Sequence, residues 1–347
     1  MNVIDYWTAA MTALPKELRL SFGKPNIMPI EANEQGTINF QFNNQPIDYK
    51  LMVFPNVGHG ALGFIKQAAS AYRTLVGKDS FVLTRNIYPK IANELVEAGI
   101  NFMDTSGNVY INQPDVYIMR LGAKSKTPVT KELKSRLFSD SGIKVLFGML
   151  QSEEFLNISY REMADAVNIS PSSISIIINE LIKSNYLHES RGKKILNKKN
   201  ELLQRWAIAF NERLKPKLKI GDYTSKTIPL IKDFKKFDLD PWEAFWGGEA
   251  AGNLYTNYLS PAKLTLFVPE KSKNWMRDLK LIPTDDKAEI EVLRIFWNKN
   301  HPIFKEVKSV PFTVPPLLAY AELIGTNDSR NIETAQRIFD EYIQFTD

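Results

Sequence analysis

Asp48–Tyr49–Lys50 sets a carboxylate and an ammonium two residues apart, hence on one face of an extended strand. Such a pair can hold a divalent cation beside a phosphodiester, the chemistry of a Mg2+-dependent nuclease. The triplet is also frequent by chance, and an exposed ion pair is the simpler account. In a later register, Leu51–Met52–Val53–Phe54, Met52 and Phe54 would replace the acid and the lysine, and the site would be inert. Both registers stay open. Asp104 begins the turn before Asn108, where local backbone capping explains it equally well. A glycine pair, Gly247–Gly248, precedes a helix and the strand Lys263–Leu264–Thr265–Leu266–Phe267–Val268. Glycine pair, helix and strand in that order can present two carboxylates, one residue apart, to hold Mg2+ against a triphosphate. Neither carboxylate is present, and without a metal clamp phosphoryl transfer has little to stabilise its developing charge. The chain has no cysteine, which excludes disulfides, thiolate metal sites and thiol catalysis. Its three histidines, His59, His188 and His301, are far apart in sequence. No Ser-His-Asp constellation, P-loop or dinucleotide fingerprint is read. The expectation is therefore no catalytic residue, no metal and no cofactor.

A further set of residues suits binding instead. Ser170, Ser172, Ser173, Ser175, Ile176, Asn179 and Lys183 form the outward side of a helix that starts at Pro171. Small hydroxyls near a helix start can approach phosphates and base edges closely, and asparagine can pair bidentately with adenine. Arg191, Lys193 and Lys194 follow in a turn, placed for a nucleic-acid backbone or minor groove. From Lys183 to Lys219 eleven basic residues face three acidic ones, a net +8 against +5 for the whole chain. Lys124–Arg136 adds five basic residues against one acid. Clustered positive charge on both sides of residues 137–182 is the footprint of a nucleic-acid binder, although a solvated lysine-rich surface gives the same count.

The elements around that helix are legible. Ile143, Leu146, Phe147 and Leu150 repeat on one helical face. Ser159 is placed to cap a second helix with Met163, Ala166 and Val167 buried, and Asn168–Ile169 makes a short turn. Ser170 is expected to cap the third helix, with Pro171 at its first position and Ile174, Ile177, Ile178, Leu181 and Ile182 inward. A strand at Tyr186–Glu189 and a return strand from Ile195 complete a winged helix-turn-helix, which reads double-stranded DNA. A small helical spacer or dimerisation unit is the competing account.

The 347 residues, 44% hydrophobic and 24% charged, predict a multidomain α+β globular protein. No stretch nears 18 consecutive apolar residues and no secretion signal is read, so a cytoplasmic protein without membrane contact is expected. Residues 1–123 read as an α/β unit, with hairpin strands Ile38–Phe42 and Ile47–Phe54 joined at Asn43–Asn44. Helices near Ala61–Val76 and Pro89–Ala98 follow, with strands at Phe81–Thr84, Asn101–Asp104 and Val109–Ile111. Its strand order would suit a restriction-endonuclease-like fold, here inactive. Residues 124–136 read as a basic linker, 137–199 as the winged helix and 200–347 as a second α/β domain. The glycine pair of that last domain suggests a degenerate nucleotidyltransferase fold.

Trp246–Ala251, Tyr258–Leu259, Leu264–Phe267, Pro315–Leu323 and Arg330–Ala335 together resemble the AbiEi-like antitoxin and transcriptional-regulator family of type IV toxin–antitoxin systems. Gly99–Asp104 with Gly107–Ile111 is similar to the first domain of a long subgroup of that family. The resemblance implies a regulator that represses its own operon by binding promoter repeats through a winged helix. It also implies a functional partner, a nucleotidyltransferase-type toxin, countered without a stable complex. Better-known members carry the winged helix at the N-terminus, whereas here it follows a domain of about 120 residues. Palindromic operators would require a homodimer or two winged modules side by side.

Overall fold

The computed structural model describes residues 3–29, 35–54, 57, 59–123, 136–190, 193–271 and 274–345. They divide into two compact units, Met1–Leu133 and Lys134–Asp347. The linker expected at 124–136 lies outside the described residues except for Arg136.

In the first unit, helices α1 (Val3–Ala13) and α2 (Lys16–Leu20) precede strands β1 (Asn26–Pro29), β2 (Gln35–Phe42) and β3 (Gln45–Phe54). Helix α3 (His59–Val76) leads to β4 (Ser80–Thr84), and α4 (Pro89–Glu97) to β5 (Asn101–Asp104). Strands β6 (Val109–Gln113) and β7 (Val116–Arg120) end the unit. The seven strands lie in sequence order, with β3, β4 and β5 parallel and the other pairs antiparallel. Asn43 and Asn44 both have positive φ, the conformation a two-residue hairpin between twisted strands requires. Alternation along β3 buries Ile47, Tyr49 and Leu51 against Trp7 and Ala10 of α1, and turns Asp48 outward. The sequence reading missed β1 and β7.

In the second unit, α5 (Asp140–Gln151) is capped by Ser139, whose hydroxyl accepts from the Gly142 N–H. Helix α6 (Tyr160–Ala166) begins in a reciprocal box: the Ser159 hydroxyl accepts from Glu162 N–H, and the Glu162 carboxylate from Ser159 N–H. Helix α7 (Pro171–Lys183) buries Ile174, Ile177, Ile178 and Leu181. Ile182, expected inward, is 46% exposed, because a fifth apolar residue exceeds the width of the stripe that α5 and α6 cover. Strands β8 (Leu187–Ser190) and β9 (Lys193–Leu196) pair antiparallel, with Leu187 and Leu196 buried at their base.

Next come α8 (Lys199–Ala209), a π-helical turn at Phe210–Leu214, and α9 (Lys215–Leu218). After β10 (Lys219–Thr224) and α10 (Leu230–Asp233) lie β11 (Phe245–Gly247), α11 (Gly248–Thr256), β12 (Leu264–Val268) and α12 (Asn274–Asp278). Strands β13 (Ile282–Pro283) and β14 (Ile290–Arg294), then α13 (Pro302–Lys305), α14 (Pro316–Ile324) and α15 (Ser329–Ile338), finish the chain. The sheet order is β11-β12-β14-β10-β13, with β12 and β14 parallel. Across the boundary drawn at 199/200 there is one shared core. Phe147 of α5 lies 6.0 Å from Trp206, 5.1 Å from Phe296, 5.8 Å from Trp297 and 5.3 Å from Phe304. The Trp206 indole N–H also donates to the Ile143 carbonyl at 2.8 Å. Among the described residues no helix is long and apolar enough to cross a membrane.

Candidate nucleic-acid interface

The face of α7 opposite its apolar stripe carries the residues singled out from the sequence. Ser172, Ile176, Asn179 and Lys183 are exposed, and Ser173 and Ser175 half-buried. Ser170 occupies the N-cap position in extended geometry but does not cap. Its hydroxyl lies 3.1 Å from that of Ser172 and 3.0 Å from that of Ser173, so three hydroxyls share one another instead of the helix N–H groups. The one acid on this helix, Glu180, is taken out of play for an anionic ligand. Both its oxygens accept from the Arg136 backbone N–H at 3.0 Å.

The hairpin behaves less uniformly. Lys193 is exposed. Lys194, grouped with it in the sequence reading, is half-buried, sits across from Glu189 in the ladder, and places its ammonium 5.0 Å from the Tyr160 ring. That cation–π contact orients the ammonium toward α6. Arg191 lies outside the described residues.

Most of the remaining basic run is spent internally. Lys199 binds Glu153, Lys217 binds Asp140 at 2.6 Å, and Lys198 lies 3.9 Å from Glu201. Arg205 stacks 4.8 Å from the Phe138 ring and donates to the Tyr186 hydroxyl. Lys215 lies between Glu322 at 3.0 Å and Glu291 at 3.2 Å, and Lys219 binds Asp222. The +8 count therefore overstates the outward field, because pairing between distant carboxylates and this run is invisible in a local tally.

The glycine pair has a definite structural role. Gly248 adopts φ +49, and a Cβ there would come within 2.7 Å of Thr265 Oγ1. A Cβ on Gly247 would meet Glu322 Oε2 at 2.5 Å. The Gly248 N–H donates to Glu322 Oε2 at 2.9 Å. An internal carboxylate thus sits at the start of α11, where an anionic ligand would otherwise be attracted. Burial pushes the Glu322 carboxyl up, against Lys215. Burial would lower Lys215, but Glu322 and Glu291 outweigh it and raise it. Burial likewise opposes the charge of Glu291, and Lys215 with Lys263 outweighs it and holds the carboxyl low.

In the first unit, Asp48 is bound by Lys78, and the Lys50 ammonium lies 5.8 Å from the Tyr72 ring. Asp104 is fully buried. It accepts from Ile87 N–H (3.0 Å), Ser106 N–H (2.8 Å), Asn108 N–H (2.9 Å) and the Asn108 amide (2.8 Å), the pattern of a turn anchor. Among the described residues no three metal-ligating side chains converge. One spacing was overlooked in the sequence: Gly58, Gly60 and Gly63 stand as G-x-G-x-x-G, with Gly60 and Gly63 in the first turns of α3. The matching acid is absent, since β4 ends at Thr84. Strands β3, β4 and β5 also lie in sequence order, without the reversal at which a dinucleotide crevice opens.

No curated protein and no solved structure matches the chain. Residues 194–344, from the second hairpin strand almost to the end, match the model of the family described as transcriptional regulator, AbiEi antitoxin, type IV TA system.

Proposed function

We propose that the chain is a DNA-binding transcriptional regulator that acts as the antitoxin of a type IV toxin–antitoxin system and represses its own operon. The observation that carries the reading is the outward face of α7, polar and cationic, with its one acid tied back to Arg136. The family match of residues 194–344 supports the regulatory and antitoxin part. In this reading residues 137–199 are a winged helix-turn-helix with α7 in the major groove. Asn179 pairs with adenine, Ile176 meets a thymine methyl, and the serines and Lys183 contact phosphates or base edges. Lys193 and Arg191 of the wing reach the backbone, with Lys194 held nearer to α6. Residues 124–136 link this module to a nuclease-derived, inactive domain at 1–123, and 200–347 form the antitoxin domain on a retired nucleotidyltransferase fold. The chain itself is not an enzyme, works in the cytoplasm, and binds promoter repeats as a homodimer or as adjacent copies. Its functional partner is a nucleotidyltransferase-type toxin, with no direct contact required.

A mobility-shift titration on a duplex from the gene's own promoter tests this reading. Wild type should retard that duplex more tightly than a scrambled one. Asn179→Ala should lose about tenfold on the promoter duplex and little on the scrambled one. Equal binding of both proteins to both duplexes would place the interface elsewhere. The nuclease alternative through Asp48 and Lys50 predicts metal-dependent DNA cleavage, and the engagement of Asp48 by Lys78 counts against it.

A further inference from the structure

We infer that Asn298, in the loop after β14, is a positioning residue for DNA recognition that holds the turn between α6 and α7; this rests on the DNA-binding reading above. The turn needs outside help. Helix α6 has only seven residues. Asn168 in the turn sits at φ +52, a left-handed conformation that asparagine enters more readily than other side chains but less readily than glycine. Short helices joined by a tight turn do not keep their own crossing angle, and base readout tolerates errors of only about 0.5 Å.

The loop supplies three hydrogen bonds from more than a hundred residues away in sequence. The Asn298 N–H donates to the Ala166 carbonyl at 2.8 Å, satisfying a last-turn acceptor that has no partner inside α6. The Asn298 amide nitrogen donates to Asp165 Oδ2 at 3.0 Å. In return, the Asn168 amide nitrogen donates to the Phe296 carbonyl at 3.4 Å. The Asn298 carboxamide oxygen accepts from Asn300 N–H at 3.1 Å, so the side chain is fixed at both ends. Phe296 and Trp297, both buried, anchor the loop on Phe147 of α5. The C-terminal segment thereby grips the end of α6 and the turn that leads into the reading helix.

The test compares affinity for the promoter duplex with affinity for a scrambled duplex of equal length, alongside thermal melts. Asn298→Asp sets a carboxylate against Asp165 and should lower the promoter-to-scrambled affinity ratio roughly fivefold. Adding Asp165→Asn restores a donor and the original net charge, and should return the ratio to wild type. Asn298→Ala, free of charge effects, should fall between. Wild-type protein that does not prefer its promoter duplex overturns the DNA reading. A wild type that does, with Asn298→Asp giving the same ratio, overturns only the positioning role. So does a parallel loss on both duplexes that tracks a lowered melting temperature, or an exchange that fails to rescue.

Discussion

Two halves of the same basic run behave differently. Among the described residues from Lys183 through the hairpin, Lys183 and Lys193 are exposed and only Lys194 is drawn onto an aromatic ring. From Lys198 to Lys219, six cations are engaged by carboxylates or aromatic rings of the same unit. Identical residue types do opposite work: the first half projects charge, and the second neutralises carboxylates that the fold has buried or placed nearby. Formal charge counted along a sequence is thus a poor measure of surface potential when long-range partners exist.

The sharpest way to break this contrast is at Lys215. Lys215→Met should strand Glu322 and Glu291 and cost about 3 kcal/mol in a urea melt. DNA affinity per folded molecule should stay unchanged. If stability held, Lys215 would belong with the outward group. Next in size is Asn179→Ala, described above, whose loss should appear in promoter affinity and leave the melt unaltered. Lys193→Ala should then weaken promoter and scrambled duplexes alike by a few-fold and reduce the salt slope by about one. Lys217→Ala, in the paired half, should leave the salt slope where it was. A slope change for Lys217 as large as that for Lys193 would erase the distinction. The smallest effect concerns pH. Glu291 is held below its ordinary value of 4.5 in the folded chain. Its contribution should be complete above that value and fade as pH falls through the lower folded one, an acid-side loss of stability that Glu291→Gln should flatten.

The local code was read well where physics is local. The apolar stripe of α7, the Ser159 cap and the Asn43–Asn44 hairpin each depend on residues within one or two turns of each other. Where the choice among partners depends on packing, the reading failed. Ser170 looks like a cap, yet its hydroxyl turns to its serine neighbours. Ile182 continues an apolar pattern, but it stays close to half exposed. Lys194 belongs to a basic triplet in sequence and to Tyr160 in space.

By itself, then, the sequence determined the helices with a clear apolar stripe, the outward polar face of α7, the absence of thiol chemistry, and the absence of paired carboxylates on the strand after the glycine pair. Periodicity, capping and composition need no knowledge of the fold. Only the tertiary structure decided which cations are spent in ion pairs, that Glu322 sits at the start of α11, and that the α6–α7 turn is gripped from residues 296–298. Those outcomes join residues as much as 133 positions apart, and spatial proximity at that separation is set by how the sheet and helices pack.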